Sequence, residues 1–276
     1  MLLSALAATT AYVSRTNAVL VRRSLQLAQA QAAADAAVIY TLSNLSDEQV
    51  ARHGPMDGTA RSWQFNGAAV TIAVTKESGR INVNAADDDL IHAFLMSQGL
   101  AEEDSKTLLK DLRDRQQIAG TEIDTAMSPT AGAPVIGSST GKHQLQTIDE
   151  LAQIASWKNQ ALECWADALT VYSGSPNVSG TDARGPALAA LRWAEAHHIG
   201  DRQWTQQTSA SAQSNEPTAV IGEVLRIATL AKLSDNVSAG TEWVGRLTGN
   251  SNGPTLTMRW AHVMPRPQGA CGKPGT

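Results

Sequence analysis

No proline and no glycine occurs between Met1 and Arg52. An uninterrupted stretch of that length predicts one long helix, from Ala11 to about Leu45, because the two strongest helix breakers are missing. Val13, Leu20, Leu27, Ala34 and Thr41 recur every seventh residue, and Val21, Leu25, Ala28, Ala32, Val38, Ile39 and Leu42 widen the apolar face. About 45 helical residues extend for about 65 Å. Few globular domains need a helix of that length, whereas a stalk or filament helix does. The tip, Met1–Val13 (MLLSALAATTAYV), is apolar and uncharged. It is shorter than the roughly 20 residues a membrane span requires, and it lacks the basic start and cleavage site of a secretory signal. It reads as the second half of a membrane helix.

Behind the helix lies RSWQFNGAAVTIAVT, Arg61–Thr75. Asn66-Gly67 between alternating apolar runs predicts a two-residue hairpin, since both central residues of a type I′ turn need positive φ. The segment SGRINVNAADDDLIHAFL, Ser78–Leu95, then passes from a short β-like run into a helix. Asn84 is the expected N-cap, with Asp87 completing a capping box and Asp87–Asp89 in a first turn whose dipole favours negative charge. Gly99 stops that helix, and Ala101–Arg115 forms the next. Gln116–Gln146 is expected to be a loop. Thr147 and Glu150 make a second capping box ahead of a helix, Gln160–Ala168 is helical, and LTVYSG is a short strand. PNVSGTDARGPALAALRWAEAH repeats the outline of the Ser78–Leu95 segment. Asp201–Thr218 is a polar linker. Val224–Leu233, Glu242–Leu247 and Thr255–Val263 are strands separated by the turns SDNVSAGT and TGNSNGP.

The expected architecture is α+β: a long N-terminal helix packed on one antiparallel sheet, with a large all-α domain inserted. By residue, 1–83 hold the stalk helix and the first part of the sheet domain and 84–198 the inserted helices. Residues 199–218 are the linker, 219–264 the C-terminal β part and 265–276 a loose tail.

Sites of chemistry are sparse. GSSTGKH, Gly137–His143, has three residues where a phosphate loop has four, and His143 where that loop has Ser or Thr. His197 and His198 are adjacent, so they point to different faces of a helix. No Ser/His/Asp or Cys/His pattern is present. Asp87–Asp89 could hold a cation, but the helix start accounts for them. Asn177-Val-Ser and Asn236-Val-Ser fit the N-glycosylation pattern, which matters only in a eukaryotic secretory pathway. Cys164 and Cys271 are the two cysteines. One disulfide would form in an oxidising compartment, but nothing in the sequence places them together, so two unpaired thiols are expected.

INVNAADDDLIHAFL is also similar to helix-hairpin-helix modules that grip DNA backbones. Here the hairpin SQGLAEEDSK has one glycine and three acids, and the whole chain carries a net charge of −4. Both work against phosphate binding.

Four segments in order resemble one family. LVRRSLQLAQAQAAADAAVIYTLSNL resembles the basic, then alanine-rich stalk helix of the type II (general) secretion system protein K, a large minor pseudopilin. SGRINVNAADDDLIHAFL resembles its Gly-(Lys/Arg)-Ile-Asn-x-Asn-(Thr/Ala)-Ala segment, LQTIDELAQI its Phe-x-Thr-(Val/Ile)-(Asp/Glu)-Glu-Leu segment, and ADALTVYSG its Leu-Thr-Val-(Tyr/Trp)-Ser. The resemblance implies a pilin-like sheet with a helix-hairpin-helix or SAM-like insertion. It implies no catalysis, a single-pass inner-membrane anchor through the N-terminal helix, and a periplasmic globular part. Its partners would be the I-type and J-type minor pseudopilins at the tip of a pseudopilus, with no nucleic acid, and its role would be to support protein export. Asn82 and Asn84 would mark the junction to the insertion, with Asn82 hydrogen-bonding across it and Ile81 and Val83 facing the core. Val13, Leu20, Leu27 and Ala34 would meet the partner helices. The family's association with calcium suggests a site from Asp111, Asp114 and Glu122.

The sequence departs from the family in three places. The prepilin leader and first membrane residues are absent, which implies a misplaced start codon, a truncated form or a degenerate copy. The family's Asp-Trp-Arg-Asp-x-Asp reads KDLRDR, and its second Asn-x-Asn-Thr-Ala reads NVSGTDA. The competing reading is a membrane-associated helix-hairpin-helix protein that binds nucleic acid.

Overall fold

The computed structural model describes residues 2–45, 55–122, 144–157, 162–199, 221–234, 237–248 and 255–263. The expected linker at 201–218, the expected tail at 265–276, the GSSTGKH loop and Asn236 lie outside the described residues. The chain divides into two compact units, Met1–Lys76 with Pro217–Pro267, and Glu77–Glu216 with Gln268–Thr276.

The first unit contains α1 (Leu2–Leu45), β1 (Arg61–Phe65), β2 (Ala68–Lys76), β5 (Val224–Ser234), β6 (Val237–Leu247) and β7 (Thr255–Val263). The hairpin turns at Asn66 (φ 47°) and Gly67 (φ 79°), and Phe65 faces Ala68 across it. All five strands are antiparallel, in the order β1-β2-β5-β6-β7. The two β portions therefore form one sheet, and β2 neighbours β5 across a long gap in sequence. Ala68, Val70, Ile72 and Val74 alternate into the core, where they meet Leu225, Ile227, Trp243 and Leu247.

The last four turns of α1 cover this core. Ala30, Ala33, Ala34, Ala37 and Val38 are all buried, and such small side chains let the helix lie close to the sheet. Buried Thr229 donates its hydroxyl to the Ala34 carbonyl (3.0 Å). Trp243 is fully buried, and a Cβ on Gly245 would stand 2.5 Å from its indole, so the absent side chain is what seats the ring. β6 begins at Val237, five residues before the expected Glu242. Gly240 hides the strand from an alternation rule, because both faces of β6 are largely buried.

The second unit contains β3 (Ile81–Asn82), α2 (Asp88–Ser97), α3 (Glu102–Glu122), α4 (Leu162–Trp165), β4 (Leu169–Thr170) and α5 (Gly185–Ala196). It is not all-α: β3 and β4 pair in parallel, Ile81 with Leu169 and Asn82 with Thr170. α3 runs to Glu122, past the expected end at Arg115, because Gln116 is buried and keeps the helix on the core. The expected helix after Thr147 is a 3₁₀ segment, Ile148–Gln153, although Glu150 does accept from the Thr147 N–H (2.9 Å). The expected Gln160–Ala168 helix is one described turn, α4. Residues 177–183 form no strand, but turns at 180–182 lead into α5, so this segment shares the turn and helix of the Ser78–Leu95 outline without its β run. Phe94, Leu95, Leu108, Leu112, Trp157 and Trp165 centre the core. Trp165 meets Phe94 and Trp157 edge-on, at 5.5 and 6.0 Å. The buried Trp157 indole donates to the Leu108 carbonyl (2.9 Å).

Candidate functional site

The segment Glu77–Asn84 is a densely bonded polar stretch of the second unit. Glu77 is fully buried in a 3₁₀ turn, Glu77–Gly79. A buried carboxylate needs a cation and donors. Arg80 supplies the charge (Nε to Oε1, 3.4 Å), and the buried Thr170 hydroxyl donates to the other oxygen. Arg80 also donates to the Ala166 carbonyl (2.8 Å). The next residues follow the backbone of β4, Ile81 N–H to Ala168 and Val83 N–H to Thr170. On the other flank Ser78 donates to Asp182, and its carbonyl accepts from Ser179 N–H. At Gly79 a Cβ would lie 2.4 Å from the Asp182 carbonyl oxygen, so only glycine allows this approach.

The two asparagines act within this frame. Asn82 is buried, donates to Ser173 Oγ (3.1 Å) and accepts from Asn84 N–H (3.0 Å), closing a local turn. Asn84 does not cap α2. Its side-chain amide instead clamps Leu145, donating to the carbonyl (2.8 Å) and accepting from the N–H (2.9 Å). Asp87 is the N-cap, accepting from Leu90 N–H (2.7 Å). Asp88 is paired with Arg113 (2.7 Å), which also donates to the Ala86 carbonyl and to Gln116. An open cleft of about 680 Å³ lies beside Asn84, Asp87–Asp89, Arg113 and Gln117.

The three residues suggested for calcium do not come together. All lie on α3, and at 1.5 Å per residue Glu122 stands about 16 Å beyond Asp111. Asp114 is taken up by Lys110 (2.6 Å), and the Glu122 side chain lies outside the described residues. Among the described residues no three ligating side chains converge. On the exposed face of α3, Glu102 is held below the usual carboxylate range by a hydrogen bond from Lys106 and by its charge.

Of the four expected partner-helix positions, Val13, Leu20 and Leu27 are exposed at 55, 60 and 52%. Ala34 is fully buried against the sheet, so it belongs to the core. A seven-residue step drifts only about 20° round the helix, so Leu27 and Ala34 share a face, and Leu27 is free because the buried run of α1 begins at Ala30. Tyr12, Val19, Val21 and Leu25 are also exposed. No described helix is long and apolar enough to cross a membrane.

Three features escaped the sequence reading. The buried Glu77–Arg80 pair sits in KESGR, which looks like an exposed polar turn. His92 Nδ1 lies 2.7 Å from Ser105 Oγ, a nucleophile–base distance, but Ser105 is fully buried and no substrate can reach it. Cys164 is disulfide-bonded rather than free, which overturns the unpaired-thiol reading. The other cysteine, Cys271, lies outside the described residues. His197 and His198 do not form a metal pair: His197 stacks on Trp193 at 3.9 Å and bonds its carbonyl.

No family model matches the sequence, and no curated protein matches it. A chain from the crystal structure of the GspK–GspI–GspJ complex of the enterotoxigenic Escherichia coli type 2 secretion system is similar in fold. The likeness covers 89% of this chain and 99% of that one, with a TM-score of 0.55 and 10% identity. At that identity it is a likeness of fold alone.

Proposed function

We propose that this protein is a minor pseudopilin of a type II secretion system, with a structural and not an enzymatic role. It would sit at the tip of the pseudopilus with I-type and J-type minor pseudopilins, its globular part in the periplasm and its N-terminal helix directed to the inner membrane. The observation that carries the reading is the extent of the fold likeness, nearly the full length of both chains, to a component of a complex of that kind. The free apolar length of α1 supports it, since Val13, Leu20 and Leu27 are exposed on a helix that its own unit does not cover. The disulfide at Cys164 fits an oxidising compartment. The polar groups of the Glu77–Asn84 segment bond one another and the neighbouring backbone, which suits a structural role rather than turnover.

The test is genetic. Deleting the gene in its host should stop export of type II substrates into the medium and leave them in the periplasm. The wild-type gene should restore export, and Leu27→Asp should not, although the variant folds. Undiminished export from the deletion strain would refute the role.

A further inference from the structure

We propose a second interaction surface: Arg246, on the face of the sheet away from α1, receives the carboxylate of an acidic side chain from a neighbouring subunit. The proposal rests on the pseudopilin reading and names where on the folded unit a partner's charge is received.

The register fixes the face. Leu225, Ile227, Trp243 and Leu247 belong to the core under α1, so Arg226, Val244 and Arg246, which alternate with them, point the other way. Val244 is opposite Arg226 on β5 and Arg259 on β7, and directly opposed residues share a face. On β5, β6 and β7 this face therefore carries the cations Arg226, Lys232, Arg246 and Arg259 against a single acid, Glu242.

Glu242 is already taken. Its Oε2 accepts from Arg226 (2.8 Å), and its Oε1 lies 3.3 Å from Arg259 Nε. Asp57 stands opposite Thr75, on the far side of β2 from Arg226, and accepts from Thr59 N–H (2.9 Å). Arg246 differs from the other two arginines. Its Nε is buried and has no hydrogen-bond partner, while the residue as a whole is only half-buried. Among the described residues no carboxylate pairs with it. A donor cut off from water and left without an acceptor costs free energy that an arriving acceptor recovers.

A guanidinium fork matches an oxyanion, best a planar carboxylate held by two hydrogen bonds. The surroundings choose a protein over a free ion. Leu256, directly opposite Arg246 on β7, is 53% exposed, and Ile221 is 62% exposed. Ile221 precedes Gly222, whose N–H bonds the carbonyl of Leu247, the neighbour of Arg246. A free anion gains nothing from these two apolar side chains. A segment with an acid set among apolar residues covers both and meets the charge, and arginine in such a setting is a common anchor of protein interfaces.

The test uses the full chain co-expressed with the I-type and J-type minor pseudopilins of the same host. A photo-crosslinking benzoylphenylalanine replaces Leu256, and mass spectrometry identifies the partner segment. The expected result is a crosslink to a segment holding an Asp or Glu. Arg246→Glu should weaken the complex about tenfold, and changing that partner acid to Arg should restore it. Arg246→Gln, which removes the charge and disturbs the fold less, should weaken the complex in the same direction. Unchanged affinity in both variants, no crosslink, or a crosslink to a segment without an acid overturns the site and leaves the pseudopilin reading standing. Failure of the wild-type chain to assemble at all removes both. An Arg246 Nε–H signal that moves in NMR titration with inorganic phosphate, while neither variant alters assembly, assigns Arg246 to small anions and overturns the docking site.

Discussion

Two glycines show how differently single residues constrain this chain. Gly67 has open space around it but φ of +79°, while Gly79 has an ordinary φ and no space, its built Cβ falling 2.4 Å from the Asp182 carbonyl. Gly67→Ala should cost about 1–2 kcal/mol, the strain of a left-handed residue. Gly79→Ala forces two backbone segments apart and should cost about 1–3 kcal/mol or more. Chemical denaturation of the two variants checks both, and an unchanged midpoint for Gly79→Ala would contradict the close approach. Glu77→Gln should be worse, about 3–5 kcal/mol, because it leaves Arg80 charged in a site only 8% exposed. The hairpin glycine was legible because Asn-Gly names its own turn. Gly79 and Glu77 were not, since the groups that crowd them come from residues about 90 to 100 positions away, and no local pattern records such an approach. The same blindness put the cap at Asn84. Asn84 and Asp87 are both good caps, and only the distant Leu145 backbone decides that Asn84 is needed elsewhere.

At the scale of elements, α1 and the hairpin were plain, because periodicity and breakers act locally. Boundaries set by burial were not: α3 runs on past Arg115 on buried Gln116, and β6 starts early behind Gly240. The insertion was expected to be all-α because two-residue strands such as β3 and β4 carry no period. α1 itself behaves as two pieces. From Tyr12 to Gln29 nearly every residue is exposed, and from Ala30 onward the inward face is buried. Removing residues 1–27 should therefore leave the thermal midpoint of the globular part within a few degrees while abolishing assembly. A large fall in midpoint would mean that the stalk stabilises the fold. On α3, Lys106→Ala should raise the pKa of Glu102 toward the ordinary carboxylate value, read by side-chain NMR titration. The sign follows from the lowered value in the folded state: the pair contributes above the unfolded carboxylate pKa and is lost as pH falls through the folded one. An unmoved titration would mean the pair does not form in solution.

For the whole molecule, charge and redox state separate the readings. With a net charge of −4 and an acidic hairpin between α2 and α3, the protein should not retain duplex DNA in filter binding at physiological salt. Salt-sensitive retention would favour the nucleic-acid reading. Intact protein should show no thiol reactive to alkylation until it is reduced, and two afterwards, in keeping with the bonded Cys164. The most direct test of the central claim is native mass spectrometry of the chain co-expressed with I-type and J-type minor pseudopilins. The account predicts a complex with one copy of each, lost when Leu27 is replaced by Asp while the variant remains folded. A wild-type chain that stays alone beside its would-be partners, or a Leu27→Asp complex that survives intact, would contradict it.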